Sequence, residues 1–346
     1  AHKLDKTRPT GGVRYIIGSE FLEDVFTVND FNYDGNATPI KAQKFVTKLN
    51  KNVPYMITEY NGHMFPTKMQ DQEERLVEHT KRHYEVVNAI AIDNHIAGGT
   101  GWCAFDYHTH YDFGSGDRIC YHGVYDMFRN PKFAASVYSS QIDTNKKIIL
   151  EPITIYARGE RAIGGITPLM ISTNCDYVEV YFKDIMIAKE YPATNKYQGL
   201  KHPPIIINIE QNIPGVSSMD WEDLKIIGYI NGKVEIEKKY LKNPTFKELI
   251  VTADDKEINS INEGSSWDST RITVKAVDSA GNRLPYINEA INIEVKGAGE
   301  LIGNDNPVLE GGYYSFWVKT SYKKGSIKIT VSNKRVASKT IEIKVK

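Results

Sequence analysis

The chain has 346 residues, room for roughly two or three domains, and 41% of them are apolar, too many for a disordered chain. Its 43 basic and 43 acidic side chains cancel, so nothing in the charge points to nucleic acid or another polyanion. No apolar run approaches the ~20 residues that span a bilayer, and Cys103, Cys120 and Cys175 are too few for a disulfide framework.

Residues 1–147 alternate strand and helix signals. Val13–Ile17 is a short candidate strand, and Asp24–Phe31 is a second, followed by the turn-like Tyr33-Asp34-Gly35-Asn36. A helix is expected from Pro39 to Leu49, with the proline in its first turn. The stretch Pro54-Tyr55-Met56-Ile57-Thr58-Glu59-Tyr60-Asn61-Gly62-His63-Met64 is a short apolar run that ends at a carboxylate and then turns. A buried strand that delivers one acid to the mouth of a barrel has this form. Residues 70–92 carry the clearest helix, with Leu76, Thr80, His83, Val87 and Ile90 on one face. His79 and His83, four apart, could bind a metal, but no third ligand stands nearby and packing is the simpler reading of His83.

Gly98–Asp106 is a fourth strand with glycines at its start. A loop rich in His, Tyr and Asp follows, His108–His122, and then a last helix from Asn130 to about Gln141. Repeated strand–loop–helix units imply parallel strands with helical crossovers. About four such units are present, where a closed (β/α)8 barrel needs eight.

From Ile148 the apolar period becomes two and helix signals end. Val178, Val180 and Phe182 alternate with Glu179 and Tyr181, and residues 148–245 read as an immunoglobulin-like β-sandwich. Residues 246–346 alternate again, through Ile272, Val274 and Ala276 and through Ile341, Ile343 and Val345, and read as a second sandwich. Trp267 and Trp317 could stack on sugar rings, but core packing is the simpler expectation.

At Ile57-Thr58-Glu59-Tyr60, with His63-Met64 beyond, the chain resembles glycoside hydrolase family 2 of the β-galactosidase type. The resemblance runs through the first domain. Thr7-Arg8-Pro9 looks like the family's fifth barrel strand, Asp24–Tyr33 the sixth, Pro54–Glu59 the seventh and Gly98–Asp106 the eighth. Gly116–Gly123 is similar to the closing loop, and Asn130-Pro131 to the run into the last helix. The trailing sandwiches look like the accessory domains of many bacterial members, the last like a bacterial immunoglobulin-like module. The implied fold is therefore the C-terminal half of a TIM barrel (strands five to eight, residues 1–147) followed by two immunoglobulin-like sandwiches.

The resemblance also implies roles. Glu59 matches the nucleophile, His63 a histidine that contacts sugar hydroxyls, and Trp102 the aromatic floor of the glycone site. Tyr33 sits where the family places a tyrosine near the nucleophile. His122 falls where β-galactosidases often carry an asparagine near a cation and the sugar, and Asn61 is placed to bond the ring. No cofactor is expected of this chain, and a monovalent or magnesium ion is left to the complete enzyme.

Retaining hydrolysis uses two carboxyls about 5–5.5 Å apart, one a nucleophile and one a general acid/base. Glu59 suits the first role, with Tyr33 or Tyr60 to hold its charge; the plain alternative is an acid paired with an arginine. The family's acid stands in an Asn-Glu pair ahead of the fifth strand, and none precedes Thr7-Arg8-Pro9. Ala1–Asp5 has no signal-peptide pattern. The chain therefore reads as a fragment without its acid/base, inactive alone, whose partners are a galactoside or oligosaccharide and the N-terminal half of the same enzyme. Nucleic acid and membrane are not expected as partners, and a homo-oligomer is left open. β-Glucuronidase, β-mannosidase and a non-catalytic carbohydrate-binding surface protein are the alternatives. The accessory domains hint at a periplasmic or extracellular bacterial location.

Overall fold

The computed structural model describes residues 1–31, 40–61, 65–157, 166–209, 221–261 and 266–346. Strands β1 (Phe26–Asn29), β2 (Tyr55–Asn61) and β3 (Gly98–Trp102) pair in parallel, in that order across one sheet. Helix α1 (Gln43–Thr47) lies between β1 and β2 in sequence, and α2 (Glu73–Ile92) between β2 and β3. One face of this sheet is apolar: Phe26, Val28, Tyr55, Ile57 and Tyr60 cluster with Val46 of α1 and with Val86 and Val87 of α2. Parallel strands with crossover helices bury their apolar face in this way.

Val13–Ile17 and Thr7–Pro9, expected as strands, form none. Gly11 makes a single parallel bridge to Val25, and the Arg14 carbonyl accepts from Asn29 N at 2.8 Å. Val13, Tyr15 and Ile16 are exposed, so the stretch has no buried face that would hold a ladder. Two expected helices are shorter than their sequence signals. Lys48, in left-handed backbone at φ 57°, ends α1. Asn130-Pro131-Lys132 is spent on a loop before α3 (Ala135–Ser139).

The helix α2 has two buried sides, not one. Val86 and Val87 face the parallel sheet, while Tyr84 packs with Val137, Ile153, Met170 and Tyr197. Short strands β4 (Tyr107–His108) and β5 (Ile119–Cys120) pair within the loop after β3. An antiparallel sheet follows from β6 (Leu150–Pro152), β7 (Leu169–Thr173) and β10 (Ile205–Ile207). A second contains β8 (Tyr177–Phe182), β9 (Ile185–Glu190), β11 (Leu224–Ile230) and β12 (Lys233–Tyr240). In β8 the residues Val178, Val180 and Phe182 are buried and those between are not, the period of a half-buried strand.

The chain divides into two compact units, residues 1–221 with 225–238, and residues 222–224 with 239–346. In the second, β13 (Glu248–Ala253), β15 (Ser269–Val277), β17 (Gly299–Ile302) and β18 (Tyr313–Thr320) form one sheet. Its companion holds β14 (Glu257–Ile258), β16 (Asn292–Gly297), β19 (Gly325–Ser332) and β20 (Lys339–Val345). Both sheets feed one core: Ile272, Val274, Phe316 and Val318 meet Ile293, Ile327, Ile329 and Ile343, so the unit is a β-sandwich. Trp267 and Trp317 are not in that core. Buried Phe316 and Val318 flank Trp317, so alternation turns its ring to the outer face of the sheet, opposite Arg271. Trp267 is 45% exposed.

Candidate active site

Glu59 stands near the C-terminal end of β2, the middle strand of the parallel sheet. Strict alternation from Tyr55 and Ile57 would turn it into the apolar core. The ladder prevents this. On one side Val28 pairs with Ile57 and Asn29 with Glu59; on the other Ile57 pairs with Gly99 and Tyr60 with Gly101. Against both neighbours β2 therefore carries one extra residue, a bulge at Thr58–Glu59. A bulge re-aims the side chains that follow it. The buried series then continues through Tyr60, and Glu59 falls on the polar face, half-buried.

There Asn29 Nδ2 donates to Glu59 Oε2 at 2.9 Å. The orientation of that amide is set by Thr58, whose hydroxyl donates to Asn29 Oδ1 at 2.9 Å. A hydrogen bond to an ionised carboxylate favours the charged form and fixes its direction. Tyr60, a candidate for this role, does not take it. Its ring is buried on the opposite face and its hydroxyl bonds Tyr138 at 3.0 Å.

Asn61 is the register partner of Trp102, so the acid-bearing strand and the tryptophan strand end side by side. Asn61 has φ 63°, a left-handed conformation that asparagine tolerates better than most side chains. Its amide nitrogen and oxygen are buried without a partner among the described residues. Trp102 is 41% exposed, and the peptide that follows it, to Cys103, is cis. Its Nε1 donates to the Tyr107 hydroxyl at 3.0 Å, with the two rings edge to face at 6.0 Å. Burial pushes the Tyr107 hydroxyl up to about 12, so it stays protonated. His122 is buried, its ring edge-on to Tyr107 and Phe113. Its carbonyl accepts from Cys103 N, which ties it to the tryptophan turn.

Trp102, Tyr107 and His122 thus form one aromatic group beside the end of β2. Tyr33 and His63 lie outside the described residues. His79 and His83 are buried edge to face at 4.9 Å, with His83 Nδ1 bonded to the Tyr138 hydroxyl at 2.7 Å. Among the described residues no three His, Cys, Asp or Glu side chains converge as a metal site. Sequence reasoning missed Asn29, and the Thr-Glu pair that follows an apolar run was the signal available for the bulge.

An acid raised on the middle strand of a parallel sheet, with an exposed indole on the next strand, suits attack on a stacked sugar ring. Comparison with known proteins bears on this directly. The profile of Glycoside hydrolase family 2 C-terminal domain 5 matches residues 249–342. A β-galactosidase of Thermoanaerobacterium thermosulfurigenes is 52% identical over 316 residues, covering 90% of this chain and 44% of that protein. The chain is thus similar to a β-galactosidase over 90% of its length, and its residues 249–342 match a domain of glycoside hydrolase family 2. A β-galactosidase of Rhizobium meliloti is 40% identical over 324 residues, 90% of this chain and 42% of that protein. The chain thus spans less than half the length of either relative. Its fold is that of a Bacteroides vulgatus β-glycosidase, with a TM-score of 0.69 at 16% identity, over 99% of this chain and 48% of that one. A family 2 β-glucuronidase structure gives a TM-score of 0.60 at 15% identity, over 94% and 33%. At such identities the likeness concerns fold alone.

Proposed function

We propose that this chain is the nucleophile-bearing part of a retaining, exo-acting β-galactosidase that removes terminal non-reducing β-D-galactose through a glycosyl-enzyme on Glu59. The observation that carries it is the bulge: it sets a half-buried carboxylate on the polar face of a parallel sheet, held by Asn29, beside Trp102. The β-galactosidase relatives support the choice of sugar. In this reading residues 1–147 are the C-terminal half of a TIM barrel, with β1, β2 and β3 as its strands six to eight, and 148–245 and 246–346 are immunoglobulin-like accessory domains. The first half of the barrel covers the stretch that runs beside β1, where Val13, Tyr15, Ile16 and Leu22 are exposed.

Glu59 Oε attacks the anomeric carbon as the leaving oxygen takes a proton from the general acid; the same acid then activates the water that frees the sugar. Trp102 is the platform for the ring, while Asn61, His63, His122 and Tyr33 bond its hydroxyls and the nucleophile. The acid/base is proposed to lie outside this chain, because no Asn-Glu pair stands ahead of Thr7-Arg8-Pro9. Glu23 pairs with Arg14, Asp24 accepts from Thr10, and Asp30 pairs with Lys41.

A fluorinated galactosyl fluoride tests the reading. In the complete enzyme it should add one sugar to the peptide holding Glu59, and 4-nitrophenyl β-galactoside should be cleaved in preference to the glucuronide and the mannoside. A preference for the glucuronide or mannoside would reassign the sugar. Absence of any label, with carbohydrate binding intact in Glu59→Gln, would make the protein a binding module.

A further inference from the structure

Among the described residues one ion pair is wholly buried, next to the site and outside the chemistry just described. The side chains of Lys132 and Asp106 are 0% and 2% exposed. Lys132 Nζ donates to Asp106 Oδ1 and to the Thr67 carbonyl, each at 2.6 Å. The same Oδ1 also accepts from Gly123 N at 2.8 Å. Three segments therefore meet on one ammonium and one carboxylate: the loop after β2, the loop after β3, and the run into α3.

Those segments carry the sugar platform. Asp106 is four residues beyond Trp102, and Gly123 directly follows His122. Between them runs a short ladder: Val124 N donates to the Cys103 carbonyl at 3.1 Å, Tyr125 N to Ala104 at 2.9 Å and Asp106 N to Tyr125 at 3.0 Å. Lys132 N closes it on Val124 at 2.9 Å, and Thr67 N donates to the Tyr121 carbonyl at 2.8 Å. Gly123 makes the approach possible, since a Cβ there would lie 2.4 Å from Asp106 N, Phe105 C and the Tyr125 carbonyl.

Stability alone is a weak reason for such a pair. Burying both charges costs solvation, and an apolar pair of similar volume is often as stable or more so. Burial pushes Asp106 up to about 6 and Lys132 downward, so desolvation outweighs the attraction for each. What an apolar pair cannot supply is direction: three fixed hydrogen bonds to named atoms on two loops.

We propose that Lys132 and Asp106 are positioning residues that fix the register of the Trp102 and His122 loops against the loop of the nucleophile strand, and so set sugar affinity without touching sugar. This rests on the galactosidase reading for its kinetic consequence, though not for its structural one. The single variant Asp106→Asn leaves a buried ammonium without a counter-charge and should unfold readily. The double variant Asp106→Asn/Lys132→Met removes both charges at nearly constant volume and separates direction from stability.

The double variant should melt within a few degrees of the parent chain. Hydrogen exchange of this chain should nonetheless quicken at least ~10-fold over residues 103–106 and 122–125. In the complete enzyme KM for 4-nitrophenyl β-galactoside should rise about 10-fold or more, while the rate of Glu59 labelling at saturating fluorosugar changes less than about 3-fold. Unchanged exchange or unchanged KM in the folded double variant would overturn the proposal. So would a double variant that fails to fold, because the pair would then be structural. If the parent enzyme is never labelled at Glu59, the galactosidase reading falls, and the exchange measurement alone decides on the pair.

Discussion

Asn29 offers the sharpest test of how the acid is held. It bonds Glu59 Oε2 at 2.9 Å, and Thr58 reaches the site only through Asn29 Oδ1, also at 2.9 Å. A hydrogen bond to a charged group contributes about 1.5–3 kcal/mol, against about 0.5–1.5 kcal/mol for a neutral one. Asn29→Ala should therefore lower kcat/KM of the complete enzyme by about 10- to 150-fold. Thr58→Val should lower it by about 2- to 13-fold, because the amide is then free to turn its oxygen toward the carboxylate. The double variant is the decisive member. If Thr58 works through Asn29, Asn29→Ala/Thr58→Val is no slower than Asn29→Ala, and the two effects fail to add. The assay is initial rates with 4-nitrophenyl β-galactoside, with melting temperature as the check on folding. Additive losses, or a loss under about 3-fold in a well-folded Asn29→Ala, would refute the relay.

Two further outcomes follow from burial. His83 is pushed down to about 3, first by burial and then by the Lys132 charge, and His79 is driven down by burial and by His83. Each then binds fewer protons folded than unfolded, so its stabilisation is complete above its ordinary value of 6.5 and is lost as the pH falls. Between pH 7 and 5 His83 costs about 2 kcal/mol, and His79 acts in the same direction. Asp106, pushed up to about 6 by burial, acts with the opposite sign. Comparing the parent with His83→Gln cancels that term: in urea unfolding the parent should lose about 2 kcal/mol more than the variant over this range, and equal slopes would contradict it. In the second unit, Phe316→Ala should cost about 3–5 kcal/mol and Trp267→Ala within about 0.5 kcal/mol, read as thermal melts. A comparable loss at Trp267 would return that ring to the core.

The chemistry-bearing segments were legible because each combined a period with a chemical type. The apolar run ending in Glu59 and the helix expected over 70–92 form close to where the sequence places them, and the glycine-led strand expected over Gly98–Asp106 begins at Gly98 but stops at Trp102. What was illegible depends on neighbours. Val13–Ile17 has strand composition but no surface to bury against, so composition alone misled. A single stripe describes a helix packed on one side; α2 is packed on two, and the stripe omits Tyr84. Trp267 and Trp317 look like core residues by size, and only register shows that Phe316 and Val318 hold the inward positions.

The acid itself shows most clearly why alternation was insufficient. By parity Glu59 belongs with Tyr55 and Ile57, among apolar side chains where an unpaired carboxylate is expensive. The extra residue in β2 resolves this, and the glycines of β3 accommodate the result. Tyr60, returned to the core side by the bulge, lies against two glycines of β3: a Cβ on Gly101 would stand 3.0 Å from its ring, and one on Gly99 3.1 Å. The empty positions on β3 admit the Tyr60 ring, and that ring, bonded to Tyr138, holds the register that leaves Glu59 on the polar face. The glycines ahead of Trp102 are thus as much a part of how the acid is presented as the strand that bears it.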